Sequence, residues 1–311
     1  MKRRDLLKFM GLAGLTTLVN TNSLAFPKSG VSAKKSLQVA QITDIHLQPE
    51  EDAPRRLTNL LRHLHNNFPD VDFILNTGDT IMDALVANRS RADLQWKIWN
   101  DIIAKETFLQ IKNCIGNHDI WGGGSLSDPM YGKALAMDAL NMESRYYSFN
   151  KNGWHFIVLD SSQINSNGEW YTAYLDEQQF DWLIDDLEKT PKHTPVLVAS
   201  HVPILSASTF FCGDSDRAEP GYWKFPQSWM HGDARKISSL FEKYPNVKLA
   251  VSGHMHMVDK VDYKGVSYLC NGSVCAKWWE GSYHGHKSGY AIIDLFDDGS
   301  FDSNYIEIEN L

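Results

Sequence analysis

Apolar positions recur along this chain in two alternating rhythms. Short runs such as Leu37-Gln38-Val39-Ala40-Gln41-Ile42 and Phe73-Ile74-Leu75 have the length and composition of buried strands. Between them Leu57, Leu60, Leu61 and Leu64 recur at i, i+3, i+4 and i+7 behind Pro54, which predicts an amphipathic helix with proline in its first turn. A second helix is expected on Leu94, Ile98, Trp99 and Ile102, followed by a buried strand over Phe108-Leu109-Gln110-Ile111-Lys112-Asn113-Cys114. Strand, helix, strand, helix, strand predicts a parallel core joined by right-handed crossovers.

Downstream, the pattern gives a short helix around Met130–Leu140, strands Tyr146–Phe149 and Trp154–Asp160, and a helix near Asp176–Lys189 carrying Phe180, Leu183, Ile184 and Leu187. Strand Pro195–Ala199, helix Ala234–Lys243 and strand Val247–Val251 follow. The tail alternates short strands, Val258–Tyr263, Val266–Leu269, Tyr290–Leu295 and Phe301–Ile308, with Asp298-Gly299 as a hairpin turn. Residues from 203 to about 232 form a long stretch rich in Gly, Pro and aromatics (Phe210, Phe211, Tyr222, Trp223, Phe225, Trp229). A loop of that length inside a compact domain points to function, and its aromatic content predicts an ordered cap. No repeat or low-complexity segment is visible, so residues 37–311 read as one domain of mixed sheets with helices outside.

With 311 residues and 43% hydrophobic content, the chain can bury a large core. The formal charge of −8 disfavours a polyanion-binding surface and argues against a nucleic-acid polymer as partner. The first 25 residues differ in kind. Lys2-Arg3-Arg4-Asp5-Leu6-Leu7-Lys8 precedes an apolar run from Phe9 to Val19 and then Ser23-Leu24-Ala25, the layout of an export signal with cleavage near Ala25-Phe26. The Arg3-Arg4 pair resembles a twin-arginine signal. The expectation is export to the periplasm or beyond by that machinery, with residues 26–36 as a linker and no membrane span in the mature chain. Removing the leader leaves 26 basic against 37 acidic side chains, a formal −11. Four cysteines in an exported chain allow two disulfides. Cys270 and Cys275 are close enough to cross-link, Cys114 reads as a buried small hydrophobe, and the pairing with Cys212 stays open.

What concentrates attention is a repeated event: metal-ligand chemistry just past an apolar run. The instances are Asp44-Ile45-His46, Gly78-Asp79, Gly116-Asn117-His118-Asp119, Ser200-His201 and Gly253-His254-Met255-His256. Open α/β sheets place their sites at the carboxyl ends of strands. The glycines at 78, 116 and 253 are expected to turn the chain sharply there. Imidazole with carboxylate suits borderline cations such as Zn²⁺, Mn²⁺ and Fe. The seven groups Asp44, His46, Asp79, Asn117, His201, His254 and His256 are too many for one ion with an open position. They suit two ions about 3.5–4 Å apart sharing one carboxylate, an arrangement that activates a bridging hydroxide for in-line attack on phosphorus.

In this order, these motifs resemble the calcineurin-like metallophosphoesterases, over roughly residues 37–257. The resemblance implies an α/β fold of four layers (αββα), two packed mixed sheets flanked by helices, with a dimetal site (Mn, Fe or Zn) at the strand ends. It implies Asp44, His46 and His256 on one ion, Asn117, His201 and His254 on the other, and Asp79 bridging them. His118 would stabilise or protonate the leaving oxygen, and Asp119 would orient His118. A second aspartate usually follows the Gly-Asp pair; here Asp83 stands one place later. Met82 occupies the position where purple acid phosphatases carry a tyrosinate, which implies a colourless site. Within the superfamily the chain resembles the exported cyclic-nucleotide phosphodiesterase-like branch.

The implied activity is phosphodiester hydrolysis of a small anionic ester, because two divalent ions outweigh the charges of Asp44 and Asp79. A phosphomonoesterase, a phospholipid or sugar-nucleotide headgroup hydrolase, and a non-catalytic metal-containing binding protein are the alternatives. Candidate substrate contacts are Trp278, Trp279, Phe211, Trp223 and His284. The two adjacent tryptophans either stack on a planar group or pack against the tail strands.

Overall fold

The computed structural model describes residues 33–163, 171–213 and 218–308. The expected export signal over residues 1–25 and most of the expected linker lie outside the described residues. In chain order the elements are β1 (Lys35–Ile42), α1 (Ala53–Asn67), β2 (Phe73–Asn76), α2 (Arg89–Glu106), β3 (Ile111–Asn113), α3 (Ala134–Ala139), β4 (Tyr147–Lys151) and β5 (Trp154–Val158). They continue with β6 (Ser162–Gln163), β7 (Thr172–Ala173), α4 (Glu177–Lys189), β8 (Val196–Ala199), a 3₁₀ turn (Ala207–Phe210), β9 (Ala218–Glu219), β10 (Tyr222–Trp223) and α5 (Ala234–Phe241). Strands β11 (Val247–Ser252), β12 (Val258–Tyr263), β13 (Val266–Asn271), β14 (Gly289–Phe296) and β15 (Phe301–Glu307) complete the series.

Two large sheets result. One has the order β15-β14-β1-β2-β3, the other β12-β13-β11-β8-β5-β4. In the first, β1, β2 and β3 run parallel and β14 and β15 add antiparallel on one side. The second is parallel through β13, β11, β8 and β5 and antiparallel at both edges. The tail strands divide between them, β12 and β13 extending the second sheet while β14 and β15 close the first.

The alternation within each strand explains the layering. In β1, Leu37 and Val39 join Phe73, Leu75, Phe156, Leu197, Leu249 and Ile293 in a core between the sheets. Their neighbours Ala40 and Ile42 face outward onto Leu57, Leu60, Leu61 and Leu64 of α1 and Trp96 and Trp99 of α2. On the far side Val196, Val198 and Ala250 meet Phe180, Leu183 and Leu187 of α4 and Ile237 and Phe241 of α5. Central strands are therefore apolar on both faces, as parallel strands covered on both sides must be. The molecule is a four-layer αββα sandwich of mixed sheets.

Three expectations are corrected. The strand proposed for Phe108–Cys114 shrinks to Ile111–Asn113, because β3 is an edge strand paired only with β2, and Phe108 is 96% exposed. In α2 the buried face is Ala92, Gln95, Trp96, Trp99 and Ile102, with Leu94 exposed. The polar Gln95 is turned inward because its Oε1 accepts the Met82 N–H at 2.8 Å, so an apolar count misplaces the face. Finally, Cys270 and Cys275 form no disulfide. Cys270 lies with Met255 and Met257 and donates to the Gly253 carbonyl, whereas Cys275 joins the cluster beneath α1.

Candidate metal centre and active site

All seven donors sit on segments that leave the C-terminal ends of β1, β2, β3, β8 and β11. The segments after β1 and β2 run on side by side. Asp44 N–H donates to Gly78 O at 3.0 Å, Ile45 and His46 N–H both donate to Asp79 O, and Leu47 N–H donates to Thr80 O. This pairing holds an unusual backbone. Asp44, His46, Asp79, His254 and His256 all have φ between 46° and 70°, the left-handed region that costs non-glycine residues about 1–2 kcal/mol each. Such conformations persist where surrounding structure over-determines them, chiefly at working sites.

The expectation for the three glycines needs refining. Gly78 has a φ of +99°, so a turn there requires glycine; the other two are demanded by crowding. A Cβ on Gly116 would stand 2.1 Å from Asp79 N, and one on Gly253 would stand 1.9 Å from Thr43 Oγ1.

The donor atoms form two groups meeting at one oxygen. In the first, His46 Nε2 and His256 Nε2 are 3.1 Å apart, and Asp44 Oδ1 is 3.4 Å from His256 Nε2. Asp79 Oδ2 is 3.6 Å from His46 Nε2. In the second, that same Asp79 Oδ2 is 3.3 Å from His201 Nε2. Around His201 Nε2 stand Asn117 Oδ1 at 3.0 Å and His254 Nδ1 at 3.2 Å. Donors bound at about 2.1 Å to a common cation are separated by about 3.0–3.4 Å, so the spacing fits two ions sharing Asp79. The hydrogen bonds agree. Asp44 Oδ2 accepts the His254 N–H and the Thr43 hydroxyl, while Oδ1 is buried with no hydrogen bond among the described residues. A buried, unpartnered carboxylate oxygen is costly unless a cation completes it. Asp79 Oδ1 likewise accepts the His118 N–H at 2.8 Å, leaving Oδ2 for the shared position.

Partners behind the ligands fix which nitrogen each ring presents. His201 Nδ1 donates to Thr77 O at 2.9 Å and His256 Nδ1 donates to Ala276 O, so both point Nε2 at the cluster. His254 turns the other way and offers Nδ1. Electrostatics sharpen this. Burial opposes charge on Asp44, yet His256 and His201 outweigh it and take its carboxyl down to about 2. Asp79, under the same burial, is held well below the usual range by His201 and His118. Burial pushes His46 well down and His254 to about 3. His201 is the opposite case: Asp79 overcomes burial and lifts it to about 9.

His118 stands beside this floor, its ring centroid 4.5 Å from that of His46. Its Nδ1 donates to Met82 O, which leaves Nε2 for the cavity it lines. The residue holding it is therefore not the expected Asp119. Asp119 Oδ1 accepts Thr80 and Ile81 N–H and Oδ2 accepts Gly116 N–H. Asp119 staples the β2 loop to the β3 loop. Asp83 serves neither role and instead pairs with Arg91 at 2.7 Å.

Above the donors lies a cavity of ≈ 230 Å³ lined by His46, Asp79, Asn117, His118, His254 and His256 below, and by Tyr171, Trp229, Trp278 and Tyr283 at the rim. Of the substrate candidates, Trp278 lines it. Trp279 does not: it is 2% exposed and its indole N–H donates to His46 O at 3.1 Å. Phe211 and Trp223 are exposed, Trp223 packing edge-on to Phe210, and neither lines the cavity. His284 is exposed and meets the rim residue Tyr283 edge-on. Sequence reasoning passed over Tyr171, Tyr283 and Met255 as cavity residues. Met255, between the two histidines, was the one findable from its motif.

A sandwich carrying two imidazole-carboxylate groups around one shared oxygen defines the class of binuclear metallohydrolases. The family follows from the sequence itself: residues 37–258 match the calcineurin-like phosphoesterases, and the chain belongs to that family of phosphoester hydrolases. It is 27% identical over 287 residues to a 3',5'-cyclic-nucleotide phosphodiesterase of Nostoc sp., covering 87% of this chain and 92% of that one. It is 22% identical over 266 residues to the 3',5'-cyclic adenosine monophosphate phosphodiesterase CpdA of Escherichia coli, covering 82% and 81%. Among solved structures, a dimetal phosphatase of Danio rerio superposes with a TM-score of 0.63 at 14% identity, over 88% of this chain and 98% of the other.

Proposed function

We infer that the protein is a phosphodiesterase acting on a small phosphodiester of the 3',5'-cyclic-nucleotide kind. One observation carries this reading: two donor sets share Asp79 Oδ2 at the floor of a small cavity, with a histidine outside both sets at its wall. Asp44, His46, His256 and Asp79 would hold one divalent ion, and Asp79, Asn117, His201 and His254 the other. Nitrogen and oxygen donors without thiolate fit Mn, Fe or Zn. When bound, such a pair would activate water for attack and supply the positive charge a phosphoryl oxygen needs.

The chain's own side chains do the rest. Buried Asp44 and Asp79 fix the floor beneath the cavity. His118, steered by Met82 O, carries at Nε2 the proton that the departing alkoxide takes. The Nostoc and Escherichia coli relatives named above are 3',5'-cyclic-nucleotide phosphodiesterases, and a cavity of ≈ 230 Å³ suits one small ester. Tracing ¹⁸O from solvent into product, with one inversion at phosphorus, tests the direct displacement; a trapped phosphoenzyme would overturn it. Comparing bis-p-nitrophenyl phosphate with p-nitrophenyl phosphate separates diesterase from monoesterase. The leader's pattern supports export, and N-terminal sequencing of periplasmic protein should begin near Phe26.

A further inference from the structure

We propose that Trp278 is the wall that sets specificity in this site, receiving a flat aromatic group attached near the phosphorus, and that its neighbour Trp279 is the anchor that aims it. This rests on the hydrolase reading above. The two tryptophans are consecutive, and both take the left-handed backbone, at φ 46° and 74°, as does Ala276 at 50°. Bulky residues rarely adopt that region, so something must hold the segment there. Its main chain is tied to the ligand-bearing stretch. Val274 N–H donates to Thr43 O at 2.9 Å and Cys275 N–H to Asp44 O at 3.2 Å. Trp279 buries its ring in the cluster beneath α1, donates its indole N–H to His46 O, and accepts Arg56 on its carbonyl at 2.9 Å.

The consequence is that Trp278 is turned out of the core. Its ring centroid lies 5.0 Å from His256 at a tilt of 37° and 6.3 Å from His46. Tyr283 stands edge-on to it at 5.7 Å, with its hydroxyl accepting the Gly213 N–H of the cap loop. Across the floor Tyr171 meets His254 edge-on at 6.1 Å. The cavity's ≈ 230 Å³ falls below the roughly 300–1,000 Å³ of sites for drug-sized ligands. That volume suits a phosphoryl group and one ring system. An indole face beside the phosphoryl position favours a planar group, because stacking is worth more to a flat π system than to an alkyl group of similar size.

The test uses the metal-loaded enzyme and two cyclic diesters with the same six-membered phosphate ring. 3',5'-Cyclic AMP carries a base, and trimethylene phosphate does not. In Trp278→Ala, kcat/KM should fall about 5- to 150-fold further for cyclic AMP than for trimethylene phosphate, the difference residing in KM. Trp278→Phe, which keeps a π face, should recover most of the loss. Trp278→Leu, which keeps apolar bulk alone, should not, and it serves if the alanine variant loses its metals. Equal losses on both esters, or full recovery by leucine, would overturn the wall while leaving the hydrolase reading intact. If the wild-type enzyme hydrolyses neither cyclic ester yet cleaves p-nitrophenyl phosphate, the diesterase reading fails and takes the wall with it.

Discussion

The floor and the rim of the cavity are built on different principles. The floor is assembled from five segments that leave the ends of parallel strands, with Asp44, His46, Asp79 and His201 tied by main-chain hydrogen bonds and most donors in a left-handed backbone. The rim comes from loops: Tyr171 beside β7, Trp229 late in the cap, and Trp278 and Tyr283 in the long connection between β13 and β14. The floor admits almost no substitution, since even a methyl at Gly116 or Gly253 collides with a ligand segment. The rim is joined mainly by ring contacts and can vary without disturbing the strands. The donor set thus rests on the sheets, and the cavity's rim rests on connections, where proteins usually place variable binding residues.

The harshest way to break this contrast is at the shared oxygen. Asp79→Asn keeps the shape but removes the bridging charge; metal content by elemental analysis should drop below two ions per chain and turnover should fall to background. Retention of both ions would mean that Asp79 is not shared. Next, His118→Asn should keep both ions while kcat falls about 10²–10⁴-fold, so a parallel loss of metal would move His118 from the wall into the floor.

The charge on the floor can be read by pH. His201 is raised to about 9 in the metal-free protein, above its ordinary value, so below that pH its protonated form must yield a proton before Nε2 can ligate. Metal affinity should therefore weaken as pH falls, and loading the apo-protein at pH 7 in weak buffer should release protons, measured with an indicator dye. No release would contradict the Asp79–His201 coupling.

Smaller effects separate anchor from surface. Trp279→Ala should cost about 3–5 kcal/mol of stability in chemical denaturation, since its ring is core. Phe108→Ser should change stability by no more than about 0.5 kcal/mol, because that ring is outside; a large loss would restore the longer strand.

Much of the floor was legible in the sequence because strand-end motifs are local. Gly78-Asp79 or Gly253-His254-Met255-His256 carries its chemistry within two to four residues, and the preceding apolar run says which end of which element bears it. The role of Asp119 was not legible, because its partners Thr80 and Ile81 lie 39 and 38 positions away and no spacing announces a staple between loops. The buried face of α2 failed for a related reason: Gln95 is inside to hold the Met82 segment.

By itself, then, the sequence determined the alternation of strands and helices, the family, and which seven side chains could form a donor set. Only the tertiary structure decided that β12 and β13 extend one sheet while β14 and β15 close the other. It also decided that His254 offers Nδ1 where His201 offers Nε2, and that of two adjacent tryptophans one is core and the other rim. The physical reason is range. Periodicity and motif chemistry act over a turn or a strand, whereas these choices depend on hydrogen bonds and packing between segments separated by scores to hundreds of residues.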